Sequence, residues 1–309
     1  MLKNIKNGMG IVFFMAFPGI VADETTIIQN IKKILLDPFF SFIEIAHIEE
    51  DKIRSEVKNL LEISNIRVGF DSHTVVLSDN LNINAIEEEE RVKAVITLKK
   101  LLDEAYYMNA EGFSILSGIK PKEEYQQLAL KNAIKSIKEL CNYSIVKSKE
   151  FNLKPITIIL ETFDDKEFAK NRLIGPTKIA IFVANEVKKE FKNFSLLLDL
   201  SHLTILGENF TNSLKLARKF IKHIHLGNCI INDPNHQAYG DNHPRFCIGG
   251  GENDIDTLGK FLKELKKIGY LEEPENTLVF EVKPLKNEDP DLTIAGSKRI
   301  LIRSVNKYL

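Results

Sequence analysis

The chain is short of most features that would place it in a specialised class. It has no charge excess: 42 Lys and Arg face 43 Asp and Glu, a formal net charge of −1 over 309 residues. That balance builds no basic field of the kind that grips a nucleic-acid backbone, so no nucleic-acid partner is expected. Cysteine is scarce. Cys141, Cys229 and Cys247 are odd in number and show no Cys-x-x-Cys spacing. This argues against a disulfide framework and for a reduced, cytoplasmic setting. Cys229 and Cys247 read as small packed thiols. No stretch reaches the ~20 apolar residues of a membrane span, so no membrane partner is expected. A Gly-x-Gly-x-x-Gly run after the first strand candidate is missing, which disfavours an open dinucleotide-binding sheet. With no linker, repeat or low-complexity segment, residues 1–309 read as a single domain.

What is present is alternation. Short apolar runs at 11–17, 42–48, 66–71, 112–116, 155–161, 195–199, 223–227 and 277–282 read as strands buried on both faces. Helical patterns lie between them near 24–36, 50–63, 86–107, 121–151, 176–190, 211–222 and 254–268, and a last one covers 291–307. Helix starts are expected at Asp23 or Thr25, at Pro121 and at Asp254. Eight β–α units predict an α/β fold, a closed (β/α)8 TIM barrel. The start of the chain, with Lys3 and Lys6 before an apolar run, has roughly the profile of a signal peptide. The strand reading is preferred because the barrel has a gap without it. The longest connection, about 228–253, is too long to be idle and is expected to cover an active site.

Four of these strands carry an ionisable residue at or near the C-terminal end, where barrels build their sites. Glu161 ends Ile-Thr-Ile-Ile-Leu-Glu, Asp199 ends Ser-Leu-Leu-Leu-Asp, His225 lies in His-Ile-His-Leu-Gly, and Glu281 lies in Leu-Val-Phe-Glu-Val. Three converging buried carboxylates would repel one another and cost several kcal/mol each to desolvate. A divalent cation resolves both problems, and imidazole plus carboxylate suits Mn²⁺, Co²⁺, Fe²⁺ or Zn²⁺. Taken singly, each has a plainer reading, such as a helix N-cap for Asp199.

The order Leu-Glu-Thr, Asp-Leu-Ser-His, His-Ile-His-Leu and Phe-Glu-Val resembles the xylose isomerase-like barrel superfamily over essentially the whole chain. Within it, the chain is most similar to the sugar isomerase/epimerase branch that includes the ketose 3-epimerases. The resemblance implies one divalent ion (Mn²⁺, Co²⁺, Mg²⁺ or Zn²⁺) held by Glu161, Asp199, His225 and Glu281. It also implies that Glu161 and Glu281 move a substrate proton through an enediolate, acting on a small sugar, sugar phosphate or sugar acid. His202 would bind a substrate oxygen, or serve as a capping or supporting histidine. Related barrels often dimerise, so a homo-oligomer is compatible with this reading.

Some features depart from the simpler epimerases. The 228–253 loop contains Asp233, His236, Asp241, His243 and Arg245, and Asp241-x-His243 resembles a pair in endonuclease IV, a multi-zinc relative. A second metal held by His202, Asp241 and His243, with His73 as a further metal or substrate ligand, is the alternative to a plain polar loop. It leads to the second hypothesis, a multi-metal hydrolase or lyase. Against DNA cleavage, the fourth strand has no histidine and the chain has no basic excess. A barrel that binds a sugar or a protein without catalysis is the third hypothesis. Arg245 is a candidate for a substrate hydroxyl, carboxylate or phosphate. Gly249, Gly250 and Gly251 offer either a phosphate loop or flexibility before the next helix. Glu44 and His47 have opposite parity, so at most one faces the barrel interior, while His223 sits a layer below His225. The run Glu87–Glu90 reads as a solvated helix start.

Overall fold

The computed structural model describes Ile5 and residues 8–309. Lys3 and Lys6 lie outside the described residues. The strands are β1 (Gly8–Val12), β2 (Phe42–Ala46), β3 (Arg67–Asp71), β4 (Gly112–Ile115), β5 (Thr157–Thr162), β6 (Phe194–Asp199), β7 (Ile221–Gly227) and β8 (Thr277–Glu281). They close in sequence order into one eight-stranded barrel. The ladders of β1 with β8, β3 with β4, β4 with β5 and β7 with β8 are all parallel. All residues of β1, β2, β4, β6 and β8 are buried, as expected of strands covered on both faces.

The helices are α1 (Phe13–Ala16), α2 (Ile27–Leu35), α3 (Asp51–Ser64), α4 (His73–Ser78), α5 (Glu88–Tyr107), α6 (Glu123–Phe151), α7 (Thr177–Lys188), α8 (Leu200–Leu206), α9 (Phe210–Ala217), α10 (Ile255–Lys267) and α11 (Pro290–Tyr308). Asp23 caps a 3₁₀ turn ahead of α2, and Asp254 caps α10 by accepting the Asp256 and Thr257 N–H groups. Three Glu residues open α5, where acids favour the helix dipole. No helix among the described residues is long and apolar enough to cross a membrane.

Several boundaries differ from the sequence reading. The first strand ends at Val12, and residues 13–16 form a helical turn in place of the expected extension to Phe17. The ninth helix stops at Ala217, because buried Ile221 already belongs to β7. Helix α6 begins at Glu123, past Pro121. Short helices α4 and α8 were not expected. α8 follows directly on Asp199 and α4 starts two residues past Asp71; each aspartate accepts the N–H two residues on, a local signal that starts a turn. Cys247 is exposed, with a left-handed backbone (φ 59°), and is not a packed thiol; Cys229 is buried against the Ser201 carbonyl.

The chain divides into two compact units, Met1–Ile43 with Leu198–Leu309, and Glu44–Leu197. In the first, β7–β8–β1 form a continuous parallel ladder, with α10 packed on α11. In the second, β3–β4–β5 do the same, with α5 packed on α6. Buried Arg91 links those two helices, reaching Glu88, Ser136 Oγ and Glu139.

Candidate metal centre

In the first unit, three strand ends bring their ionisable residues together. Gly227 is in register with Glu281 across the β7–β8 ladder, and His225 lies two residues earlier on the same face of β7. His225 Nδ1 is 2.9 Å from Glu281 Oε2 and 3.9 Å from Asp199 Oδ2. Asp199, His225 and Glu281 each offer a ligand atom within 4.8 Å of the others, and all three are buried. The plainer reading of Asp199 is also realised: its Oδ1 accepts the Ser201 N–H and caps α8. The two roles use different oxygens. Oδ2 is buried and has no hydrogen-bond donor among the described residues.

Gly227 makes the room. A Cβ there would stand 2.7 Å from His243 Nδ1 and 2.9 Å from both Asp199 carboxylate oxygens. The cluster therefore depends on a residue with no side chain at the end of β7.

The 228–253 loop supplies the next layer. Asn228 Oδ1 accepts the N–H groups of Cys229 and Asn253, while Asn253 Nδ2 donates to the Gly227 carbonyl, so the loop ends are pinned together. The His243 backbone is left-handed (φ 46°), and its carbonyl accepts the Lys283 N–H at 2.7 Å. His243 Nε2 lies 2.8 Å from Asp241 Oδ1 and 3.6 Å from Glu281 Oε1. His202 Nδ1 is 3.7 Å from the same Asp241 oxygen, and the two imidazoles meet edge to face. His202, Asp241 and His243 thus form a second buried group with metal-ligand spacing. Asp233 and His236 do not join it; they close local turns onto Asn235 and Ala238. Arg245 is exposed and paired with Glu288 at 2.7 Å.

Burial, reinforced by the Glu281 charge, raises the Asp199 pKa above the carboxylate range, against the pull of His243, His202 and His225. For His243 burial acts downward, but Glu281, Asp241 and Asp199 outweigh it and hold the imidazole protonated more readily than usual. Such a cluster is short of positive charge. A divalent cation would supply it, and the donor set fits one.

Residues 44–197 carry their own group. Asp71, which ends β3, accepts the His73 N–H at 2.6 Å through Oδ1 and lies 3.0 Å from His73 Nδ1 through Oδ2. The same nitrogen is 3.3 Å from Glu161 Oε2 near the end of β5. His73 Nε2 is buried with no hydrogen-bond partner among the described residues, and Phe163 packs against the ring. Glu44 is the inward residue of its pair, accepting from Ser114 Oγ at 2.8 Å. His47 instead bonds Glu104 and Glu49. His223, in the first unit, sits below His225 and bonds Thr277 Oγ1. Asp71 was missed in the sequence, although it closes Val-Gly-Phe-Asp much as Asp199 closes Leu-Leu-Leu-Asp.

The sequence profile of the family described as xylose isomerase-like TIM barrel matches residues 39–301. The chain belongs to this family. Among solved structures, it is similar to a D-tagatose 3-epimerase-like protein, with a TM-score of 0.69 at 17% identity over 97% of this chain and 98% of that one. It is similar too to the 3-keto-D-glucoside 4-epimerase YcjR of E. coli, with a TM-score of 0.65 at 16% identity over 96% and 99%. A family 2 AP endonuclease from Brucella melitensis gives a TM-score of 0.65 at 14% identity over 94% and 97%. At these identities the likeness is one of fold. No curated protein matches the chain in sequence. As a xylose isomerase-like barrel, the chain carries its buried Asp199, His225 and Glu281 at strand ends, the position that barrels use for chemistry.

Proposed function

We propose that the protein is a divalent-metal-dependent sugar isomerase or epimerase, with Glu161, Asp199, His225 and Glu281 as one four-ligand site. The observation that carries this reading is the buried Asp199–His225–Glu281 cluster, whose Asp199 Oδ2 has no hydrogen-bond donor among the described residues. Glu161, one residue before the end of β5, is the fourth ligand in this reading. A bound Mn²⁺, Co²⁺, Mg²⁺ or Zn²⁺ would offset the negative charge that grows on a sugar carbonyl and its neighbouring hydroxyl as a proton leaves.

The rest of the chemistry belongs to the side chains. One of Glu161 and Glu281 takes the proton from the carbon beside the carbonyl, leaving an enediolate. The other, protonated, returns a proton from the opposite face. Return to the same carbon inverts it; return to its neighbour, with the hydroxyl proton passing from one oxygen to the other, interconverts aldose and ketose. His202 binds a substrate oxygen. His73, oriented by Asp71, presents its buried Nε2 to a sugar hydroxyl. The sugar epimerases among the similar structures support this reading at the level of fold.

The test is elemental analysis of the purified protein combined with a screen of ketoses and aldoses in D₂O. About one metal per chain and solvent deuterium at a carbon beside the carbonyl are expected. Absence of metal together with absence of exchange would remove the reading. The His202–Asp241–His243 group supports one rival, a hydrolase or lyase using more than one ion. Two or three metals per chain without deuterium exchange would favour it.

A further inference from the structure

Four arginines are not exposed at the surface: Arg54, Arg67, Arg91 and Arg172. Three of them are neutralised. Arg54 reaches Asp51 and the Ile48 carbonyl, Arg67 pairs with Glu111, and Arg91 is held by Glu88, Glu139 and Ser136. Arg172 is the exception. Its Nε is buried and has no hydrogen-bond partner, and its guanidinium makes no ion pair among the described residues.

The residue sits in the connection between β5 and α7, eleven residues past Glu161. That connection is not loose. The Arg172 N–H donates to the Asp164 carbonyl at 2.7 Å, Arg172 forms a bridge to Ile119, the Leu173 N–H donates to the Gly118 carbonyl, and the Ile174 N–H donates to Ser117 Oγ. The loops that follow β4 and β5 are therefore stitched together with Arg172 at the seam. Asp164 is the nearby carboxylate, and it is already engaged by the N–H groups of Lys166, Lys170 and Asn171. Lys120 and Lys166 share Asp165. Burial lowers the Arg172 pKa, with Asp164 acting the other way, yet an arginine stays charged across the physiological range. A half-buried cation fixed by its backbone, with no ion pair among the described residues and its neighbour Asp164 already engaged by three N–H groups, fits an arriving anion. Arg245 does not offer this, because Glu288 already occupies it.

We propose that Arg172 is a specificity-determining residue that grips an oxyanion on the substrate, so the sugar carries a phosphate or a carboxylate. The proposal rests on the sugar isomerase or epimerase reading of the site. A guanidinium presents two parallel N–H groups to two oxygens of either anion.

The experiment titrates three probes, D-ribulose, D-ribulose 5-phosphate and D-fructuronate, into the metal-loaded wild type and the Arg172→Gln and Arg172→Lys variants. Binding is followed as the rise in melting temperature. At least one anionic probe should bind the wild type about 10- to 100-fold more tightly than D-ribulose. Arg172→Gln should erase that difference without changing D-ribulose affinity, and Arg172→Lys should retain part of it. Whichever anionic probe shows the effect identifies phosphate or carboxylate. The proposal is overturned if neither anion binds, if anionic and neutral probes bind the wild type alike, or if Arg172→Gln weakens all three equally. Deuterium exchange is scored separately on the same samples. Arg172-dependent discrimination without exchange would remove the isomerase reading and leave the anion site standing.

Discussion

His225 on β7 and Glu281 at the end of β8 meet at 2.9 Å, a buried imidazole against a buried carboxylate at the strand ends. In the absence of an ion this is a hydrogen bond. In the proposed reading an ion would take both groups as ligands. Replacing Glu281 by Gln or His225 by Ala should weaken divalent-metal affinity by about 100-fold or more, exceeding the usual 10- to 100-fold loss from outer-shell changes. Competition with a chromophoric chelator measures it. Affinity equal to wild type in both variants would show that the pair is only structural.

Gly227 offers a test of shape. In Gly227→Ala the new methyl carbon would meet Asp199 and His243 well inside contact distance. Relief requires moving the Asp199 carboxylate or the loop that carries His243. The expected result is loss of about 1–3 kcal/mol of stability, as for other overpacked sites, with metal uptake reduced in the same variant. A variant as stable and as metal-competent as wild type would mean that the cluster is not packed as described.

His47 supplies a pH dependence of its own. Its hydrogen bond to Glu104 raises its pKa to about 9 against burial, with Glu49 helping. The folded state therefore holds a proton that the unfolded state releases near its ordinary value of ~6.5. The stabilisation is complete below that value and is lost as pH rises toward 9. The melting temperature of the wild type should fall by about 1–3 °C more than that of His47→Gln between those limits, the size expected for a partly exposed pair. Parallel curves would contradict the assignment.

Much of this architecture was legible in the sequence. Seven of the eight strands lie within two residues of the apolar runs that predict them, because strands covered on both faces are mostly apolar, while the first is displaced to Gly8–Val12. The strand-end ionisable residues followed from the same pattern. What the sequence concealed depended on contacts between distant segments. Asp71 acquires its role only when His73 turns back onto it, and Arg172 is distinguished by a missing partner, which composition does not record. Arg245, the arginine that the sequence offers for a substrate oxyanion, is paired with Glu288, 43 residues away. Residues 13–16 read as a strand because a buried helical turn and a buried strand are both apolar at that length.

The most direct measurement is the rate of solvent-deuterium incorporation into the turned-over sugar by metal-loaded wild type and by Glu161→Gln. Exchange at one carbon beside the carbonyl is predicted for the wild type. Loss of a carboxylate that moves that proton should slow exchange by about 10²- to 10⁴-fold, in a protein that remains folded. Exchange at the wild-type rate in Glu161→Gln, or none in the metal-loaded wild type, would contradict proton transfer at this site.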